Sequence, residues 1–246
     1  MSTPIRVVSL VPSLTEVLFF FDRGSSLVGR TRFCEEPRGL VESVPIVGGT
    51  KNPDVSRIAA LNPDIVIANK EENRREDIEA LIAAKIPVHL TDPNTLNQAL
   101  AMIVQLGELF EASSRAAELV AAVRMELSRV YPVARRVFVA VWREPLLGLG
   151  GESYGNSLLE SLGAVNVLSA TPRYPETTVA GLAALKPDLI LLPDEPYPFK
   201  ATHIPEFAAI SPARVIDGKL LWWYGPRMPT AIRELGAILN DRSDAR

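Results

Sequence analysis

One phrase occurs twice in this sequence. ALNPDIVIANKEEN covers residues 60–73, and ALKPDLILLPDEP covers residues 184–196, about half of the 246-residue chain further on. In each copy a proline ends a helical pattern, because proline cannot continue a helix, and a fully apolar run follows that is typical of a strand covered on both faces. The repeat therefore predicts two similar halves, each containing the same helix-to-strand joint.

Short apolar runs and helical patterns alternate around both copies. Strands are predicted at residues 5–10, 27–29, 44–47, 65–68, 88–90, 136–142, 189–192 and 214–217. Helices are predicted at residues 54–61, 75–84, 95–110, 113–130, 156–162, 177–185 and 229–239, and a first helix through residues 18–21 that a Ser13/Glu16 capping box begins. This alternation predicts an α/β fold with mainly parallel central sheets.

Two helical stretches without strand signals separate the halves. The second, residues 113–130, would span roughly 27 Å and ends before Pro132, so it is predicted to be a long connecting helix. We therefore predict an N-terminal αβ lobe over residues 1–110, a connecting helix over 111–132 and a C-terminal αβ lobe over 133–246.

Charge and composition exclude several classes of protein. The net charge is −3 and no Lys/Arg run with interleaved aromatic residues occurs, which disfavours nucleic-acid binding. Cys34 is the only cysteine, so no internal disulfide is expected. No membrane insertion is expected, because no window approaches the ~18 apolar residues of a membrane span. No export signal is recognised, so a cytoplasmic location is expected if Met1 is the native start.

Gly151 to Gly155 (GESYG) fits the G-x-S-x-G nucleophile elbow of serine hydrolases, with Asp194 and His203 following as acid and base. A glycine-rich turn before a helix is the alternative, since the preceding apolar run is short and broken by glycines. Gly148, Gly150 and Gly151 also suggest a dinucleotide-binding loop of the G-x-G-x-x-G type, but Ser153 occupies the position of its third glycine.

No metal site is expected from side-chain spacing. His89 and His203 are the only histidines, and neither pairs with another His or Cys at a chelating distance in the sequence. Glu35 and Glu36 beside Cys34 are better explained as an exposed acidic turn.

Aromatic and charged residues gather after the predicted strands, where open α/β sheets bind ligands. Each such segment alone is typical of a solvated loop. Together they suit a large, flat or anionic small molecule, which aromatic faces and fixed cations can hold. The candidate ligand-binding residues are Lys51, Asn52, Lys70, Glu71, Trp142, Arg143, Tyr197, Phe199, Trp223, Tyr224 and Arg227, with Trp222 and Lys200 beside them.

Several segments resemble the class III periplasmic binding proteins, also called helical-backbone metal receptors. They are VVSLVPSLTE (7–16), VGRTRFCEEP (28–37), VGGTKNPDVSRIAALNPDIVIA (47–68), the lone helix before Pro132, the turn around Trp142 and GPR (225–227). The resemblance covers nearly the whole chain. The family includes cobalamin-binding and ferric-siderophore-binding proteins of ABC importers, and it is extracytoplasmic.

This resemblance implies two αβ lobes joined by one long backbone helix, with the ligand held in the cleft between them. It implies an ABC permease as partner, contacted through acidic residues, for which Glu72, Glu76 and Glu206 are the candidates. It further implies a monomer without a covalently bound cofactor, whose ligand is cobalamin or another corrinoid ahead of a ferric siderophore or haem.

The chain departs from the cobalamin-binding pattern at two positions. Thr50 and Asn69 stand where such a member would place tryptophans, and lysines lie beside both. Two other functions stay open: a serine hydrolase, and an intracellular ligand-binding protein without a transporter.

Overall fold

The computed structural model describes residues 5–129 and 134–241. Its helices are α1 Pro12–Phe20, α2 Val55–Ala60, α3 Arg75–Ala83, α4 Leu96–Leu109, α5 Ser113–Leu127, α6 Tyr154–Ser161, α7 Val179–Leu185, α8 Ile204–Ala208, α9 Lys219–Trp222 and α10 Met228–Asn240. Its strands are β1 Val7–Ser9, β2 Leu27–Arg30, β3 Gly48–Gly49, β4 Asn52–Pro53, β5 Ile65–Asn69, β6 Val88–Thr91, β7 Arg136–Trp142, β8 Leu147–Gly148, β9 Val165–Asn166, β10 Leu189–Pro193 and β11 Ala213–Ile216.

The chain forms two compact units. Unit 1 comprises residues 1–92, 101–120 and 224–226, and unit 2 comprises residues 93–100, 121–223 and 227–246. Helices α4 and α5 each contribute residues to both units. The predicted boundaries at 110 and 132 stay a prediction, and Val130 and Pro132 lie outside the described residues.

The two sheets share one topology. In unit 1 the strand order is β2-β1-β5-β6 and every pair is parallel. In unit 2 the parallel pairs run β9-β7-β10-β11, and the short antiparallel strand β8 also pairs with β7. In each sheet the first strand is central. Its two parallel neighbours are the next parallel strand in the chain (β2 or β9) and the strand after the Pro-Asp joint (β5 or β10). The predicted α/β class is confirmed.

An arginine ties the joint of unit 1 together. The Arg6 backbone N–H donates to Asp64 Oδ2 at 2.7 Å, and the Asp64 N–H donates back to the Arg6 carbonyl at 2.8 Å. The Arg6 guanidinium donates to the carbonyls of Leu61 (2.7 Å) and Asn62 (3.1 Å). These carbonyls follow α2 and would lack partners within the helix, so the cation occupies the negative end of the helix dipole.

Unit 2 repeats this arrangement atom for atom. The Arg136 N–H donates to Asp188 Oδ2 at 2.8 Å, and the Asp188 N–H donates back at 2.8 Å. The Arg136 guanidinium donates to the carbonyls of Leu185 (2.8 Å) and Lys186 (3.2 Å) after α7. The doubled Ala-Leu-x-Pro-Asp phrase is therefore one half of a contact, and the other half is an arginine at the start of the first strand of each sheet, directly before β1 and as the first residue of β7.

The joint also sets the register of the sheets. Directly after the Arg–Asp pairs, Val7 lies opposite Ile65 in unit 1 and Val137 lies opposite Leu189 in unit 2. A shift of register would move the apolar set of a strand to the wrong face, so fixing the first pair fixes the rest.

Each unit has an apolar core on its own sheet. Helices α2 and α3 pack on the sheet of unit 1 around Ile58 and Leu81, which are fully buried. In unit 2 the rings of Phe138 and Phe207 lie in the equivalent core with the aliphatic side chains of β10.

Two local predictions were wrong. Helix α1 begins at Pro12 without a side-chain cap, because the fixed φ of proline already suits the first helical position, and Ser13 is a buried residue of the first turn. Residues 44–47 form no strand of their own; only an isolated bridge between Ile46 and Arg30 is present there.

Among the described residues, no helix combines the length and apolar character needed to cross a bilayer.

Replacing Asp188 tests the importance of the joint. Asp188→Ala removes the acceptor of the Arg136 N–H, and we expect the free energy of unfolding to fall by about 1 kcal/mol. Asp188→Asn keeps an oxygen at the same position and should lose less than half of that amount. Urea denaturation followed by circular dichroism measures both. Equal stability of the alanine variant and the wild-type protein would contradict a role for the joint.

Candidate functional site

In unit 1, the carboxyl ends of the parallel strands carry charged side chains. Lys70 follows β5 and its Nζ lies 2.8 Å from Asp92 Oδ2, after the neighbouring strand β6. Lys51, in the turn between β3 and β4, donates from Nζ to the carbonyl of Glu71 at 2.5 Å. The predicted residues Lys51, Lys70 and Glu71 therefore lie at one edge of this sheet.

A buried polar network holds the loops of that edge. Asn69 is fully buried; its Nδ2 donates to Thr91 Oγ1 at 3.0 Å, and its Oδ1 accepts the Glu71 N–H at 2.9 Å. Asn73 Oδ1 accepts the Asn69 N–H at 2.8 Å, and Asn73 Nδ2 donates to the Thr50 carbonyl at 2.9 Å. Buried amides that satisfy one another specify a single loop geometry. Asn73 was not among the predicted site residues, since only the folded structure brings its amide to the Thr50 carbonyl, 23 residues away.

Sequence reasoning missed Arg32, which contacts the hairpin β3-β4. Asn52 is exposed, and its Oδ1 accepts a hydrogen bond from Arg32 Nη2 at 3.3 Å. Arg32 follows β2, so it joins the same edge of the sheet. Its position after a strand was the available signal.

In unit 2, an aromatic group lies after β7 and β10. Trp142 ends β7 and is 41% exposed, and its ring meets the half-buried Tyr197 edge to face with centroids 5.4 Å apart. Phe199 lies behind Tyr197, with centroids 4.7 Å apart, and is only 2% exposed. The prediction that Phe199 contacts a ligand is corrected: its ring belongs to the apolar core and supports Tyr197 from below.

Arg143 and Glu206, predicted for different roles, contact each other. Arg143 Nε lies 3.1 Å from Glu206 Oε2, and Arg143 Nη1 lies 2.6 Å from Glu144 Oε1. A ligand-binding arginine and a partner-docking glutamate therefore cannot be assigned to separate surfaces of unit 2. Both side chains are partly solvated, so this pair contributes little stability by itself.

Trp222 and Trp223 both bond to Glu195. The Trp223 Nε1–H donates to Glu195 Oε1 at 2.9 Å, and the Trp222 Nε1–H donates to the Glu195 carbonyl at 2.8 Å. Two cations approach the Trp223 ring, with Lys219 Nζ 5.0 Å and Arg227 Cζ 5.2 Å from its centroid. These distances suit cation–π attraction, which orders the cations around a fixed ring.

Trp223 and Tyr224 are less accessible than predicted. They are 8% and 6% exposed, so only an edge of each ring can contact a ligand. Arg227 is half-buried. Trp223 therefore acts mainly as the support on which Lys219 and Arg227 lie.

Two glutamates of these surfaces hold protons more tightly than usual. Burial raises the pKa of Glu195 to about 7, against the opposing effects of the Lys219 charge and the Trp223 hydrogen bond. The close approach of Gly218 contributes to this burial, because a Cβ there would lie 2.5 Å from Glu195 Cγ. Burial also raises the pKa of Glu72, and the charge of Lys51 opposes that effect.

The catalytic candidate Ser153 has a structural position. It is the N-cap of α6: its hydroxyl donates to the Gly150 carbonyl at 2.9 Å and accepts the Asn156 N–H at 3.4 Å. His203 Nδ1 accepts the Lys200 N–H at 2.9 Å. The hydrogen bonds of Ser153 are those of a helix cap, which is the alternative that the glycines allowed, and the His203 ring also packs edge to face on Tyr197 and Phe199.

Within residues 5–129 and 134–241, no cluster of three or more His, Cys, Asp or Glu side chains has the geometry to hold a metal ion.

Comparison with known proteins decides the family. Residues 7–180 match the family described as periplasmic binding protein. The chain belongs to this family. The match covers the whole described sheet of unit 1 and continues to the first residues of α7.

Curated relatives of this periplasmic binding protein are remote in sequence. A vitamin B12-binding protein of Vibrio parahaemolyticus is 25% identical over 193 residues, which are 75% of this chain and 69% of the relative. An uncharacterised ABC transporter substrate-binding lipoprotein of Bacillus subtilis is 26% identical over 254 residues, with 94% and 79% covered.

Solved structures agree on the fold. A periplasmic heme-binding protein from Pseudomonas aeruginosa superposes with a TM-score of 0.83 at 26% identity, covering 97% of this chain and 93% of that one. A periplasmic vitamin B12-binding protein of Vibrio cholerae gives a TM-score of 0.78 at 18% identity, covering 95% and 96%. The predicted family resemblance is confirmed.

The raised pKa of Glu195 predicts a pH-dependent stability. Because the folded-state pKa of about 7 exceeds the usual value of 4.5, the stability that its proton provides is complete below about pH 4.5 and is lost as pH rises through about 7. Glu195→Gln keeps an acceptor for Trp223 but cannot ionise. Its melting temperature should rise relative to that of the wild-type protein between pH 5 and pH 8.

The exposed Glu108→Gln in α4 is the matched control and should show no such trend. A difference between the Glu195→Gln and wild-type melting temperatures that stays constant with pH would contradict the assignment.

Proposed function

We propose that this protein is the substrate-binding component of an ABC importer and that it binds a metal-bearing small molecule. Among the candidate ligands we prefer a corrinoid to haem and to ferric siderophores. The family match over residues 7–180 carries the transport role. The relatives named for vitamin B12 and for heme support the ligand class.

The strand ends of unit 2 support a large ligand with an apolar face. The exposed Trp142 ring packs against Tyr197, and the Tyr197 ring packs against the buried Phe199. Aromatic rings that are held in place by packing contribute large contact areas at a low entropy cost on binding. In unit 1 the strand ends present Lys51 and Asn52 instead, which suit polar or charged substituents, whereas Lys70 is paired with Asp92.

Haem and a corrinoid make different demands on this chain. Haem iron in proteins takes an axial ligand such as His, Met, Cys or Tyr from the chain. Cys34 is fully buried, and His203 already accepts a hydrogen bond in its turn. Tyr197, half-buried after β10, is a side chain that could serve haem. A corrinoid brings its own cobalt ligands and needs only a shaped surface.

The proposed partner is an ABC permease, and the proposed location is extracytoplasmic. Glu76 is exposed in the first turn of α3, whereas burial raises the pKa of Glu72, so Glu76 is the better docking candidate of unit 1. Glu206 remains the candidate of unit 2, with Arg143 beside it. Charges at the edge of an interface mainly steer and orient the partner.

Ligand titration tests this function. Saturating cyanocobalamin should raise the melting temperature of the protein, since a ligand that binds only the folded state stabilises it. Trp142→Ala removes the exposed ring and should weaken binding about tenfold, equivalent to about 1.4 kcal/mol, as measured by isothermal titration calorimetry.

Met125→Ala is the matched control, because Met125 is an exposed apolar residue of α5, 57% exposed and away from the strand ends. The proposed function would be wrong if cyanocobalamin, haemin and ferric siderophores all failed to bind or to shift the melting temperature.

A further inference from the structure

Two of the three cations that follow strands in unit 1 have no carboxylate partner within the described residues. Lys70 forms an ion pair with Asp92 at 2.8 Å. The recorded contacts of Arg32 and Lys51 are with an amide oxygen, a backbone carbonyl and an aromatic ring. Neither cation therefore forms an ion pair with a carboxylate of the described residues at the edge where this fold class binds ligands.

Arg32 is held in place without being neutralised. Its Nη2 lies 3.3 Å from Asn52 Oδ1, and its guanidinium lies 5.6 Å from the Phe33 ring centroid. It also lies against Gly49, where a Cβ would come within 3.0 Å of Nη2 and 3.3 Å of Nε. Glycine at this position gives the guanidinium its place beside the hairpin. The exposed fork can still donate in parallel to two oxygens of a carboxylate or phosphate.

Lys51 is oriented by a neutral group. Its Nζ donates to the Glu71 carbonyl at 2.5 Å, and that carbonyl belongs to the loop that Asn69 and Asn73 fix. Glu72 is the nearby carboxyl that feels the Lys51 charge, but burial dominates and raises the Glu72 pKa. A lysine anchored on a carbonyl keeps its full charge and two further N–H donors for a ligand.

We infer that Arg32 and Lys51 bind an anionic substituent of the ligand, a carboxylate or a phosphodiester. The inference rests on the proposed function and refines it, since it selects ligands that carry such a group. Asn52, next to Lys51 in the hairpin, contributes an exposed amide that Arg32 contacts. Lys70, neutralised by Asp92, is assigned to holding its own loop.

The same anionic chemistry occurs in more than one ligand. Haem carries two propionate groups, and cobalamin carries one phosphodiester. Haemin dimethyl ester lacks the carboxylates, and dicyanocobinamide lacks the phosphodiester. Comparing the affinity for haemin with that for its dimethyl ester tests recognition of the carboxylates. Comparing cyanocobalamin with dicyanocobinamide tests recognition of the phosphodiester.

The variants are Arg32→Gln and Lys51→Gln, which remove charge at similar length. Lys85→Gln, at an exposed lysine directly after α3, is the matched control. Each site variant should weaken binding of the recognised charged ligand about tenfold and leave its neutral counterpart within about twofold. The loss should shrink as sodium chloride rises from about 0.05 M to about 0.5 M, because salt screens exposed charges.

The outcomes separate the two proposals. If the wild-type protein binds haemin or cyanocobalamin and both variants bind it equally well, the anion inference is wrong and the proposed function stands. If the wild-type protein binds neither of these nor a ferric siderophore, the proposed function is wrong, and inorganic phosphate becomes the probe. Phosphate-induced amide shifts of residues 48–53 that disappear in both variants support the anion site, whereas their absence or persistence overturns it.

Discussion

The contact between an arginine and a Pro-Asp joint is the constraint on which both sheets depend. In each unit one arginine aligns the first strand with the strand that follows the joint. Its guanidinium donates to two carbonyls at the end of a helix. A helix end, two strands and a register are fixed by a few hydrogen bonds. Since side chains alternate along a strand, this single registration decides which residues reach the core and which reach the strand ends.

The joints set the register of the strands, and therefore the positions of the strand ends, but the side chains at the strand ends differ between the two units. In unit 1 the loops rest on buried asparagines, and their tips carry lysines and an arginine. In unit 2 the loops pack on edge-to-face and tilted rings and on Glu195, whose carboxyl and carbonyl each accept a hydrogen bond from a tryptophan. A duplicated scaffold thus presents a polar, cationic surface in one unit and an aromatic one in the other. The aromatic surface of unit 2 suits an apolar group, and the cationic surface of unit 1 suits an anionic group.

Sequence reasoning found the fold class and most elements, because Pro-Asp joints and apolar periodicity are local signals. It also placed Lys51, Lys70 and Trp142 at strand ends, since position after a strand can be read directly. It misjudged Phe199, because aromatic residues of cores and of ligand sites look alike in sequence and only packing separates them. It missed Arg32, although this residue follows β2, and it missed Asn73, whose contact with the Thr50 carbonyl 23 residues away exists only in the folded chain. The Ser13/Glu16 pattern failed because Pro12 starts the helix by itself.

The central claim is that the strand-end surfaces bind a metal-bearing ligand. Hydrogen–deuterium exchange with and without saturating cyanocobalamin, or haemin if cobalamin does not bind, tests it most directly. Our account predicts protection in residues 48–53, 69–73, 142–145 and 194–200, with the exchange of the two Pro-Asp joints unchanged. Protection confined to other segments, such as the exposed faces of α3 or α5, would contradict the claim.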